Sequence, residues 1–194
     1  DLMGLQEAVP AQYEYLNDNL PDYGNYGVGR SDGAGKGESM KIYYRLDRFE
    51  LLDKGTFWLS QTPDSVSYGW DAACHRTATW VKLKDKQDNK ELFYFNTHFD
   101  HIGKVAREES SKLVVAKIKE ICTEDATVFL TADFNINYDD PALAPIYEYM
   151  TNGRDTAPET DWYNTFNYWG NVSLEGKNEI IDHVFFRNAI PLKY

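Results

Sequence analysis

The chain has 194 residues, enough for one domain or two small ones, and for a core that needs no disulfide staples. Apolar residues make up 42% and aromatics 15%, which excludes a disordered polymer, and no apolar run reaches the roughly 20 residues of a membrane-spanning helix. Twenty basic against 31 acidic side chains leave a net charge of −11, which argues against a non-specific nucleic-acid coat but is compatible with carboxylates gathered around a divalent cation.

In chain order, the apolar segment Asp1 to Gln6 reads as the end of a buried strand. Pro10 opens a helix through Tyr13, Leu16 and Leu20 that Pro21 ends. Residues 24 to 37 hold six of the thirteen glycines and read as a long mobile loop, without the Lys-Ser/Thr ending of a nucleotide-binding loop. Met40 to Arg45 and Phe49 to Leu52 read as a hairpin, as do Thr77 to Leu83 and Leu92 to Thr97. From Lys104 to Cys122 the period changes: Val105, Val114, Ile118 and Ile121 suit the buried face of a helix. Thr127 to Ala132 is a continuous apolar run, typical of a strand covered on both faces. Asp139 and Asp140 cap a helix from Pro141 to about Met150, and Glu179 to Phe186 is a last buried strand. With no repeat and no Pro/Ser-rich linker, the expectation is one domain over 1–194, an α/β sandwich with mixed sheets. Cys74 and Cys122 read as idle thiols, although their number leaves a bridge open.

Three segments place reactive groups where strands end. Glu7 follows the first strand, a rim position, although taken alone it reads better as the first acidic residue of the next helix. In Asn96-Thr97-His98-Phe99-Asp100-His101, the two-residue period puts Asn96, His98 and Asp100 on one side. In Ala132-Asp133-Phe134-Asn135, a carboxylate and an amide share a face, the pairing needed to take a proton from water and orient it. Asp182, inside an apolar strand, needs a cation or a histidine as partner, and His183 faces away from it. Oxygen donors without thiolates suit a hard cation, Mg²⁺ or Mn²⁺. His75 and the five tryptophans read as packing residues, with one or two tryptophans left to line a base- or lipid-binding cleft.

These residues resemble the endonuclease/exonuclease/phosphatase superfamily, which is similar over nearly the whole chain, and the stretch from Phe57 to Trp80 resembles a bacterial branch of it. The resemblance implies a four-layer α/β sandwich, two packed mixed β-sheets flanked by helices with a cleft at one edge. Glu7 in GLQE resembles the family's metal-binding glutamate, and Glu38 a glutamate that orients the first histidine. His98 in NTHFDH resembles the histidine that contacts the scissile phosphate, while Arg76, with His101, stands on the substrate side. Asp133 and Asn135 resemble the GDFN pair, with Ala132 in place of the glycine, and Asp182 resembles the aspartate that supports a catalytic histidine.

The implied reaction is Mg²⁺- or Mn²⁺-dependent hydrolysis of a phosphate ester. Glu7 holds the ion, Asp133 takes a proton from water that Asn135 orients, and His98 and Arg76 offset phosphoryl charge. The substrate stays open between nucleic acid, a phospholipid or inositol headgroup and a small metabolite. The expected protein is a soluble monomer, with export from a bacterium left open. Family members carry an asparagine before the position where this chain begins, and close with Ser-Asp-His. This chain ends Pro191-Leu192-Lys193-Tyr194, so the expected domain lacks the family's first and last strands. The alternative is a catalytically impaired binding module of the same fold.

Overall fold

The computed structural model describes residues 1–171, 173, 175–176 and 179–194. Its elements run β1 (Leu2–Ala8), α1 (Pro10–Asn19), β2 (Tyr23–Tyr26), β3 (Ser39–Arg45), β4 (Phe49–Trp58), β5 (Thr77–Asp85), β6 (Glu91–His98), α2 (Lys104–Ile121) and β7 (Thr127–Asp133). They continue with a 3₁₀ turn (Pro141–Leu143), α3 (Ala144–Tyr149), β8 (Thr151–Asn152), α4 (Gly153–Thr156) and β9 (Asp182–Arg187). One sheet has the order β1-β3-β2 and is antiparallel; the other has the order β4-β5-β6-β7-β9-β8, mixed because β6 and β7 run parallel. The sheets pack face to face, with α1 against β3 through contacts of Asn17 with Tyr43 and of Tyr13 with Lys41 on one side, and α2 with α3 against the large sheet on the other.

Alternation along the strands explains the layers. Phe93 and Phe95 of β6 and Val128, Leu130 and Ala132 of β7 join Val114 and Ile118 of α2 in the larger core. The intervening residues face the other sheet: Val81, Leu83 and Tyr94 pack against Ile42 and Tyr44 of β3. Asn96, His98, Thr131 and Asp133 fall in this second set by the two-residue period, so they too point toward the small sheet.

Asn96 fixes how the sheets meet. Fully buried, its Nδ2 donates to the carbonyls of Leu5 (2.9 Å) and Lys41 (3.2 Å), and its Oδ1 accepts from Gln6 Nε2 (2.7 Å) and Thr131 Oγ1 (3.0 Å). Gly4 makes the approach possible, because a Cβ there would lie 2.5 Å from Thr131 Oγ1 and 2.6 Å from Asn96 Oδ1.

Three expectations need correction. Strands β3 and β4 are not a hairpin: they belong to different sheets, since β4 pairs with β5 from Phe49↔Asp85 to Trp58↔Thr77 while β3 lies between β1 and β2. Residues 24–37 are not a loose loop. They begin with β2 and continue as a closed turn, in which Asp32 Oδ1 accepts from the amides of Ala34 (2.8 Å) and Lys36 (3.0 Å) and Gly29 N donates to Ala34 O. Val105 is 49% exposed, because the buried stripe of α2 runs through Ala106, Ser110, Val114 and Ile118, while Asp71 anchors the helix start by accepting from the amides of Val105 and Ala106. Both cysteines are free thiols, and among the described residues no helix is long and apolar enough to cross a membrane.

Candidate active site

A pocket of about 550 Å³ opens where β1, β6 and β7 end, and Glu7, Glu38, Arg76, His98, His101, Asp133 and Asn135 all line it. Seven of the eight residues singled out in the sequence therefore share one cleft.

Glu7 reaches the cleft through a bulge. The β1–β3 register shifts between Leu5 and Ala8, and Glu7 adopts φ 56°, a left-handed conformation costly for a residue with a Cβ. Its carboxylate, that of Glu38 and a ring nitrogen of His98 lie within 4.8 Å of one another. Glu38 pairs with Arg30 at 2.5 Å, and the Arg30 carbonyl accepts from the Trp58 indole at 2.8 Å. The glycine-rich turn thus carries a guanidinium into the pocket. Sequence reasoning missed Arg30 because it lies among six glycines that looked like an unstructured rim.

His98 and Asp133 end adjacent parallel strands as register partners, with His98 Nε2 3.4 Å from Asp133 Oδ2. Asn135, at φ 53°, donates through Nδ2 to His98 Nε2 (2.8 Å) and to the Phe99 carbonyl (3.0 Å). Because both amide protons are used, Nε2 is the acceptor and His98 is a neutral ring protonated on Nδ1. Burial, followed by the charges of Arg76 and Arg30, holds its pKa down at about 3. Nδ1 is buried and has no hydrogen-bond partner among the described residues.

Asp133 is shifted the other way. Burial and then the Asp182 carboxylate, with a smaller contribution from Glu7, hold its carboxyl up at about 7, although the Asn135 amide donates to Oδ1 at 2.8 Å. Burial and the neighbouring carboxylates both oppose a negative charge on Asp133, and a cation in the cleft would relieve that opposition.

Arg76 is 5% exposed and lies 3.6 Å from Asp100 Oδ2. Its Nη2 donates to His101 Nδ1 at 3.1 Å, which leaves His101 Nε2 as a donor, while Nη1 has no partner among the described residues. Burial alone would raise Asp100, yet the amides of Gly103, Ile102 and Ala73 and the Arg76 guanidinium hold it at about 2. Cys74, Asp100 and His101 also bring donor atoms within 4.8 Å of one another, but Asp100 is committed to those amides and Arg76 stands against it, so they suit an anion-facing wall better than a metal.

Asp182 does not line this pocket. It borders a neighbouring cavity of about 540 Å³, together with Gly4, Arg154 and Tyr194. Burial raises its pKa, and it acts on the cleft through its charge on Asp133. His183 turns from Asp182 as expected and packs on Phe134, ring centroids 5.6 Å apart.

The model of the Endonuclease/Exonuclease/phosphatase family matches residues 1–193, and the chain belongs to that family, a class of phosphate-ester hydrolases. It is similar to the mannosyl-6-phosphatase of Bacteroides thetaiotaomicron, at 36% identity and TM-score 0.93 over 100% of this chain and 73% of that one. The endonuclease/exonuclease/phosphatase of Bacteroides vulgatus is 40% identical with TM-score 0.90, over 96% of this chain and 72% of that one. The uncharacterized protein L388 of Acanthamoeba polyphaga mimivirus is 27% identical over 189 residues, covering 91% of this chain and 68% of that one.

Proposed function

We propose that this protein hydrolyses the phosphomonoester of a small hydroxylated metabolite, a sugar phosphate, with the help of Mg²⁺ or Mn²⁺. One observation carries the reading: Glu7, Glu38 and His98 present ligand atoms within 4.8 Å of one another, beside an aspartate whose carboxyl is held at about 7. Oxygen donors suit a hard divalent cation, which Glu7 would hold, with Glu38 beside it and paired to Arg30. When bound, such a cation supplies Lewis-acid charge to a phosphoryl oxygen.

The chain's own residues supply the rest. Asp133 takes a proton from the attacking water, and its raised pKa sits near the operating range of a general base. Asn135 holds His98 in one orientation and tautomer. Arg76, whose guanidinium stands at the pocket wall, and His101, with Nε2 as donor, offset the charge that builds on the phosphoryl oxygens. The new bond joins water oxygen to phosphorus, the ester P–O bond breaks, and the leaving alcohol takes a proton from solvent. Similarity to a mannosyl-6-phosphatase over the whole chain supports a sugar phosphate. The net charge of −11 disfavours a long polyanion.

The experiment is phosphate release from hexose 6-phosphates, glycerol phosphate, a bis-ester dye and an oligonucleotide, with Mg²⁺, Mn²⁺ or chelator. Full activity in chelator, or cleavage of the oligonucleotide alone, overturns the reading.

A further inference from the structure

The pocket has two unlike walls. Arg30, Arg76, His98 and His101 come from the strand ends and the glycine-rich turn, whereas the segment 165–181 contributes Phe166, Tyr168, Trp169, Glu179 and Ile181. Trp169 is 86% exposed, an unusual place for the largest apolar side chain, and it lines a cleft rather than a core.

Its display is built. Tyr168 (φ 49°) and Trp169 (φ 55°) are consecutive left-handed residues followed by Gly170 (φ 87°), a conformation that aromatic side chains rarely adopt. The Asn171 side chain donates to the Tyr168 carbonyl at 2.6 Å, and Gly170 N donates to Asn167 O at 3.1 Å. Tyr168 OH donates to Glu179 Oε1 at 2.9 Å, and the amides of Thr165 and Phe166 donate to the Glu179 carbonyl. Phe166 supports the pair from below, with ring centroids 4.6 Å from Tyr168 and 5.5 Å from Trp169 in an edge contact. Strain held this firmly at a cleft points to a ligand.

We infer that the Phe166–Tyr168–Trp169 wall is the subsite for the alcohol half of the substrate and that it takes a neutral pyranose ring. The inference rests on the phosphoesterase reading above and adds what recognises the leaving group. A pyranose has one face of C–H bonds, which suits the negative face of an indole, and a rim of hydroxyls. Glu179 places a carboxylate acceptor at this wall to meet that rim. The opposite wall carries Arg30, Arg76, His98 and His101, groups that suit the phosphoryl end, which leaves the aromatic wall to the alcohol half. Glu179 is the only charge that this segment's described lining residues contribute, and it opposes a second phosphate.

The test uses the Mg²⁺-loaded protein and Trp169→Ala, with hexose 6-phosphate and the acyclic glycerol 3-phosphate as paired substrates. Trp169→Ala raises KM for the hexose ester about tenfold and leaves the glycerol ester unchanged, while Trp169→Tyr restores most of the difference. Equal effects on both substrates, or on neither, overturn the inference. Tryptophan fluorescence, read as wild type minus Trp169→Phe, is titrated in chelator with hexose 6-phosphate, adenosine 5′-monophosphate and inorganic phosphate. A change with the hexose ester alone supports the sugar subsite even if no ester is hydrolysed, which would sink only the hydrolase reading. Hydrolysis of the hexose ester with Trp169 silent, or a stronger response to the nucleotide, overturns the subsite and leaves the hydrolase standing.

Discussion

Asn135 uses both protons of its amide to hold His98, one on Nε2 at 2.8 Å and one on the Phe99 carbonyl at 3.0 Å. Neither residue can rotate without losing a hydrogen bond in a buried setting. Asn135→Ala is therefore expected to lower kcat by about 10–100-fold with little change in KM, the usual scale for removing a group that orients another. Steady-state kinetics on a hexose 6-phosphate check this, and a change confined to KM would contradict it.

Asp133 makes stability depend on pH and on metal. Its carboxyl is raised from 3.8 to about 7, so the folded state binds a proton that the unfolded chain has released between those values. That contribution to stability is present below about pH 4 and is lost as pH rises through about 7, with an upper bound of about 4 kcal/mol. In chelator, Asp133→Asn should melt higher than wild type at pH 8, with the gap narrowing toward pH 5. Mg²⁺ should raise the wild-type Tm more at pH 8 than at pH 5, because the ion competes with that proton. Equal Mg²⁺ shifts at both pH values would contradict the assignment.

Gly4 tests the approach of the two sheets. Alanine would set a Cβ 2.5 Å from Thr131 Oγ1 and 2.6 Å from Asn96 Oδ1, and Glu7 lies three residues along the same strand. Gly4→Ala should cost about 1–3 kcal/mol in denaturant unfolding and raise the Mg²⁺ concentration needed for half activity. Unchanged unfolding would mean that β1 shifts freely.

Arg76 is not replaceable by lysine. Its planar fork donates to His101 through Nη2 while Nε stands 3.6 Å from Asp100, a double engagement that a single ammonium cannot match. Arg76→Lys should raise KM and lower kcat together, with kcat/KM falling about 10²–10³-fold. Wild-type kcat/KM in the lysine variant would remove Arg76 from the substrate side.

The two-residue period carried most of the site. Once Phe93 and Phe95 take the helix face of β6, His98 must face the small sheet, and the same logic on β7 sends Asp133 there. What stayed hidden depends on contacts distant in the chain. The turn after Arg45 looks like a hairpin locally, but the nine-residue pairing of β4 with β5 draws it into the other sheet. Arg30 was hidden because hydrogen bonding, not side-chain pattern, orders residues 27–38. Trp169 carries no periodic signal, since its exposure comes from two left-handed residues that composition does not announce.

The bulge at Glu7 divides labour between the sheets. One sheet brings Glu7, while the other brings His98 and Asp133, and Asn96 is the hinge pin between them. Any slip of one sheet against the other therefore moves Glu7 relative to Asp133, whose carboxyl already feels its charge, so the two halves of the cleft must change in concert.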